Sequence, residues 1–142
     1  CHCTEEQVRR YRAKVSGPLM DRIDMLVEVP PVEKSLLRPS TTGPQQESSA
    51  QVRERVSAAK QRQVKRAGKA NYLLQGKEIE KHCALQESDY QLLEQAITRL
   101  GLSARAYHRI LKVARTIADL ADSEQIKTSH LSEAISYRRL DK

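Results

Sequence analysis

Phenylalanine and tryptophan are both missing from this 142-residue chain, and its only aromatics are five tyrosines. A core of any size must therefore come from Leu, Ile, Val and Ala, which favours packed helices over a sandwich rich in aromatics. No apolar run approaches the ~18–20 residues that a membrane-spanning helix needs. No secretory leader is recognisable, so the expected location is cytoplasmic and no membrane partner is expected. The three cysteines are an odd number, which argues against a closed disulfide framework. The chain is also short of catalytic signatures. A mononucleotide-binding loop needs a glycine, four residues, then Gly-Lys-Ser/Thr. The two Gly-Lys pairs here, Gly68-Lys69 and Gly76-Lys77, are followed by Ala70 and Glu78, and Gln63 and Asn71 stand where the first glycine should be. With no hydrolase elbow, kinase signature or zinc-protease helix either, the chain alone is expected to have no catalytic activity and to hold no cofactor.

Positive charge is abundant, at a formal net of +7. It is concentrated in residues 51–69, where Arg53, Arg55, Lys60, Arg62, Lys65, Arg66 and Lys69 face a single acid, Glu54. Such a balance attracts phosphates through counterion release, although a solvated helix face has the same composition. Arg55, Arg62, Lys65 and Arg66 are the candidate DNA contacts.

Most of the chain reads as helix. Thr4 followed by Gln7 fits a capping box, and Val8, Tyr11 and Val15 share one helical face up to the breaker Ser16-Gly17-Pro18. Leu19 to Arg22 fits one more helical turn. The segment from Asp24 to Val29 is the only convincing strand, apolar at Met25, Leu26, Val27 and Val29 and stopped by Pro30-Pro31. A lone strand leaves its backbone groups unpaired, so residues 1–30 read as the end of a larger α/β core whose sheet partners lie elsewhere. Without that sheet they are expected to be partly disordered or packed against the rest. Residues 31–48 read as a linker rich in Pro, Gly, Ser and Thr.

From residue 49 onward the spacing predicts a bundle of four to five helices. The first spans about 51–67, capped at Ser48 or Ser49, with a thin apolar stripe (Val52, Val56, Ala59) and a stop at Gly68. Short helix at 77–84 follows, then 89–100 with Ser88 as cap and Gly101 as stop. Ser103 caps the strongest, about 104–121, whose core face is Tyr107, Ile110, Leu111, Ala114, Ile117, Ala118 and Ala121. Arg105, Arg109 and Lys112 form a cationic stripe along it. A last helix runs from a Thr128 cap to about 139, with Leu131, Ala134 and Ile135 facing inward.

Cys1, His2 and Cys3 offer part of a zinc site, but tetrahedral closure needs four ligands, and no second ligand pair follows. They read as a severed half-site, with no metal held by this chain.

Several stretches together resemble the magnesium-chelatase-like AAA+ ATPases, in particular their ComM (YifB) branch. They are Gln-Val-Arg-Arg-Tyr-Arg at 7–12 after the Cys-His-Cys-Thr start, and Val-Ser-Gly-Pro-Leu-Met-Asp-Arg-Ile-Asp at 15–24. Gly-Lys-Glu-Ile-Glu-Lys-His-Cys-Ala follows at 76–84, then Leu-Ser-Ala-Arg-Ala-Tyr-His-Arg-Ile-Leu at 102–111 and its continuation to 120, and His-Leu-Ser-Glu-Ala-Ile-Ser-Tyr-Arg-Arg at 130–139. The resemblance implies a mainly α chain: a remnant helix and strand of the AAA+ core at 1–30, and a helical lid at 49–142. It implies a longer parent protein that uses ATP and Mg2+, assembles with identical subunits into a hexameric ring, and drives branch migration of DNA. The 142 residues alone are expected to be monomeric. By the same resemblance Arg22 occupies the arginine-finger position, reaching the γ-phosphate in the neighbouring subunit. Arg105 occupies the lid's sensor position for nucleotide, with Arg109 in reserve. The residues leave two other readings open. One is a small basic helical DNA-binding module. The other is the same engine working on a protein or inserting magnesium.

Overall fold

A computed structural model describes residues 3–32 and 47–138. The elements are helices α1 (Glu5–Arg12), α2 (Gly17–Met20), α3 (Ser49–Ala67), a 3-10 turn (Asn71–Leu73), α4 (Lys77–His82), α5 (Glu87–Leu100), α6 (Ala104–Leu120) and α7 (Thr128–Ser136). The chain is helical, as expected of a helical lid.

Local chemistry explains the helix ends. At α1 and α3 the reciprocal capping boxes form, Thr4 with Gln7 and Ser48 with Gln51. Ser103 Oγ accepts from the Ala106 amide at α6. Gly68 and Gly101 close α3 and α5 in the left-handed conformation that glycine adopts without steric penalty.

Two caps differ from expectation, and one bond accounts for the second. The residue before α5 is Gln86 rather than Ser88, and the one before α7 is Lys127 rather than Thr128. Thr128 is instead the first residue of α7, and its hydroxyl donates to Asp89 Oδ1 at 2.7 Å. Asp89 is buried, so this bond satisfies a carboxylate that would otherwise be desolvated without a partner.

The core gathers on α6. Ile110, Leu111, Ala114 and Ala118 are buried there, against Leu93 of α5, Ile79 and Cys83 at α4, Leu74, Ile126, and Leu131, Ala134 and Ile135 of α7. Tyr107 and Ile117 pack at the edge of this cluster, and Ala121, expected inside, is exposed. Helix α6 touches α3, α4, α7 and the 3-10 turn, while α5 packs on α7.

The expected strand at 24–29 is corrected: these residues form no strand. No neighbouring strand among the described residues is there to take its backbone groups, so the segment runs as irregular chain with Val29 81% exposed. Helix α1 forms, but the expected face of Val8, Tyr11 and Val15 is exposed too. Of the 31–48 linker, residues 33–46 lie outside the described residues, as do Cys1 and His2.

Candidate functional site

Arg22 sits on the turn that follows α2. Ser16 precedes that helix, Pro18 occupies its first turn, and Asp21 is its C-cap. The backbone tightens immediately afterwards: the Arg22 amide donates to Leu19 O at 2.9 Å and the Ile23 amide to Met20 O at 3.0 Å. The Arg22 guanidinium is exposed and donates one N–H to the Pro18 carbonyl at 3.2 Å. No carboxylate among the described residues pairs with it, although Asp21 and Asp24 are close in sequence. It is a positive group tethered lightly and left open to an anion.

Arg105 lies in the first turn of α6, where the exposed amides already carry partial positive charge and disfavour a cation. It is exposed and makes no ion pair among the described residues. An incoming anion would meet this side chain and the helix N-terminus together. Arg109, one turn on, is differently placed: its guanidinium pairs with the carboxylate of Asp24. The loop that carries Arg22 is thus joined to the helix that carries Arg105. His108 is exposed, its ring edge-on to Tyr107.

The basic helix α3 divides into groups with different fates. Arg55 is engaged by Glu47. Arg62 reaches Asp122 at 2.6 Å and the Asp119 carbonyl at 2.9 Å. Arg66 turns inward and holds the Asp119 carboxylate with both terminal nitrogens while also donating to Asn71 Oδ1. Lys69 pairs with Glu78. Arg53, Lys60 and Lys65 are exposed and unpaired among the described residues. Of the four expected DNA contacts, only Lys65 is therefore an uncommitted cation, and Arg66 belongs to the interior.

That interior cluster was not foreseen from the sequence. Asp119 (1% exposed) also accepts from Asn71 Nδ2 at 2.8 Å and from Arg115, which is 2% exposed and whose terminal nitrogens also donate to the carbonyls of Ser123 and Glu124. Burial alone would raise the Asp119 carboxyl. Hydrogen bonds from Arg66 and Asn71 and the charge of Arg115 outweigh it, holding the group below the ordinary carboxylate value. Burial pushes the nearby Cys83 thiol up to about 11, which leaves it un-ionised and unreactive at neutral pH.

Asp119, Arg115 and Asn71 are buried, and Arg66 is partly exposed. The described residues also contain no group of three or more His, Cys, Asp and Glu side chains able to hold a metal ion. No helix among them is long and apolar enough to cross a membrane.

Two family models and several curated proteins match the chain. Residues 46–138 match the family described as magnesium chelatase, subunit ChlI C-terminal, and residues 1–37 match magnesium chelatase, subunit ChlI. Competence protein ComM of Haemophilus influenzae is 50% identical over 135 residues, covering 95% of this chain and 26% of its own length. The protein YifB of Salmonella typhimurium is 47% identical over 140 residues, covering 99% of this chain and 27% of its own length. Rv2897c of Mycobacterium tuberculosis is 30% identical over 143 residues. The chain thus spans about a quarter of the length of these curated relatives. With a helical bundle where the C-terminal family matches and the ChlI match running through Arg22, the chain belongs to the magnesium chelatase ChlI family, as a ComM-like AAA+ member.

Proposed function

We propose that these residues are the sensor and lid portion of a hexameric AAA+ ATPase that couples ATP hydrolysis to branch migration of DNA. The observation that carries this reading is the contrast between arginines. Among the described residues Arg22 and Arg105 present exposed guanidinium groups without a carboxylate ion pair; Arg9, Arg10 and Arg53 do so too, but Arg22 stands on the turn after α2 and Arg105 in the first turn of α6, whereas Arg55, Arg62, Arg66, Arg109 and Arg115 each face a carboxylate. A transferring phosphoryl group spreads negative charge over its oxygens, and a guanidinium that bonds two of them stabilises that charge. In the ring, Arg22 reaches the γ-phosphate held by the neighbouring subunit. Arg105 contacts nucleotide from the lid. Both residues fit such a ligand, being exposed and cationic. ATP with Mg2+ supplies the phosphoryl group whose transfer drives the motor, and the residues of this chain contribute positive charge to it.

The exposed, uncommitted cations Arg53, Lys60 and Lys65 on α3 support a DNA substrate. ATP hydrolysis by the full-length protein, measured with and without forked DNA, tests the reading. Strong stimulation by the fork is expected, together with a kcat loss of ~10³-fold or more in Arg22→Ala. Hydrolysis indifferent to any DNA would overturn the DNA motor in favour of metal insertion or protein remodelling.

A further inference from the structure

We infer that Asp24, Arg109 and Arg138 are positioning residues that fasten the Arg22 loop to the helical bundle, so that finger and lid move as one body. The inference rests on the assignment of Arg22 above and adds a mechanical link to it.

Three polar contacts converge on three residues of the loop, Ile23, Asp24 and Leu26. The Asp24 carboxylate takes the guanidinium of Arg109 on α6. The Ile23 carbonyl accepts from the guanidinium of Arg138, just beyond α7. The Leu26 amide donates to the Tyr137 carbonyl at 2.9 Å. One contact comes from α6 and two from the end of α7, so the loop is held from two helices rather than hinged on one.

The Arg138 contact is the most constrained. Its side chain is 2% exposed, and a guanidinium so deeply buried is strongly destabilising if its acceptors move away. The backbone allows little slack between this anchor and the finger. Arg22 adjoins Ile23, a Cα separation of ~3.8 Å, and the amides of both residues are bonded back to α2. A rotation of the bundle therefore carries Arg22 with it. If nucleotide draws Arg105 and its helix inward, the motion reaches Arg22 through Arg109 and Asp24, one turn along α6. Nucleotide in one subunit would thus reset the arginine offered to the next.

The link also gives Arg109 a role distinct from that of a nucleotide ligand. A ligand would lose ATP affinity when removed. A positioning residue lowers kcat while the Michaelis constant holds, because only the transition-state contact is misplaced.

The test uses the full-length protein with forked DNA and reads kcat and KM for ATP. Arg109→Asp and Asp24→Arg are each expected to lower kcat by ~10- to 100-fold, with KM changed by less than about threefold. The double variant, which restores the pair with its charges exchanged, is expected to recover most of that loss. Asp24 is half exposed, so Asp24→Asn removes the charge with little risk to folding, and it should lower kcat in the same direction. Arg22→Ala serves as the reference. If it lowers kcat and the Asp24 and Arg109 variants do not, the fastening is wrong and the finger stands. If Arg109→Asp raises KM and exchange gives no rescue, Arg109 is a ligand and the inference falls. If Arg22→Ala leaves kcat unchanged, the functional reading itself fails.

Discussion

Arg66 grips Asp119 across the interface of α3 and α6 with both guanidinium nitrogens, at 2.6 and 2.8 Å. The two residues are 53 positions apart in the chain, and the pair joins the first helix of the bundle to its central one. Arg115 and Asn71 complete the set of donors around the same carboxylate. A buried ion pair is not in itself strong evidence of stability. Its removal on one side is costly, however, because the remaining charge is left without compensation.

Asp119→Ala should therefore be severe. It deprives two guanidinium groups of their shared acceptor, one of them almost wholly buried. The expected loss is about 3–5 kcal/mol, read as a fall in thermal midpoint of about 10 °C or more. Arg62→Ala makes the comparison, since it removes a half-exposed contact to Asp122 and should cost about 1 kcal/mol or less. Equal midpoints for the two variants would mean that the cluster contributes nothing beyond a surface pair.

The pH dependence of stability has a definite sign. The Asp119 carboxyl is held below its ordinary value of about 3.9. A group depressed in this way adds stability above its unfolded value and loses it as pH falls through the folded one. His130 acts in the same direction at higher pH. Burial lowers its pKa, and its Nδ1 accepts the Lys127 amide, an arrangement that requires the neutral ring. Burial lowers His82 as well. Unfolding free energy from urea titrations should be level between pH ~7 and ~8, decline as pH falls below ~6.5, decline again below ~4, and decline on the alkaline side once the unfolded thiol of Cys83 ionises. His130→Gln should flatten the first decline in part and Asp119→Asn the second. A wild-type profile that rises on acidification would contradict both assignments.

Much of the fold was legible because its signals are local. The serine and threonine caps at Thr4, Ser48 and Ser103, the glycine stops at 68 and 101, and the period of α6 all act within a few residues, where sequence spacing and geometry coincide. The misses are long-range. Nothing near Thr128 in sequence reveals that its hydroxyl serves Asp89, so it reads as a cap. A run of arginines reads as a phosphate-binding face because Asp119 lies 53 positions further on. One signal was available: Arg115 and Asp119 are four apart on a helix whose neighbouring positions are core, and such a pair beside a core face marks a buried polar cluster. The strand at 24–29 has the right composition, but a strand is a property of a pair, and only one member is among the described residues. At the candidate site, residue types and positions were readable, while the joining of Asp24 to Arg109 was not.

Cys83 offers a direct probe of the core. Its thiol is 1% exposed and pushed up to about 11, so both access and ionisation protect it. Cys3, by contrast, is exposed. A thiol reagent at pH 7 should label Cys3 at the rate of an accessible cysteine. Cys83 should react only as fast as the bundle opens, and faster in Asp119→Ala in proportion to the lost stability. Prompt labelling of Cys83 in the native protein would show that α4 does not pack against α6 as described.

Helix α3 separates two kinds of basic residue, and their variants should part company. Lys60 and Lys65 are exposed and unpaired among the described residues, so each is available to a phosphate. Arg66 is committed to Asp119. Charge reversal at Lys60 and Lys65 in the full-length protein should weaken fork binding and reduce its salt slope by about one unit per lost phosphate contact, with the thermal midpoint unchanged. Arg66→Ala should do the opposite, lowering the midpoint by several degrees while the salt slope of the remaining folded protein stays the same. The contrast follows from geometry alone: a cation already neutralised by a buried carboxylate does not neutralise a phosphate and so releases no counterion from the DNA. If Lys60 and Lys65 reversals leave fork affinity and salt slope untouched, the basic face of α3 is a solvated surface and the DNA path runs elsewhere in the ring.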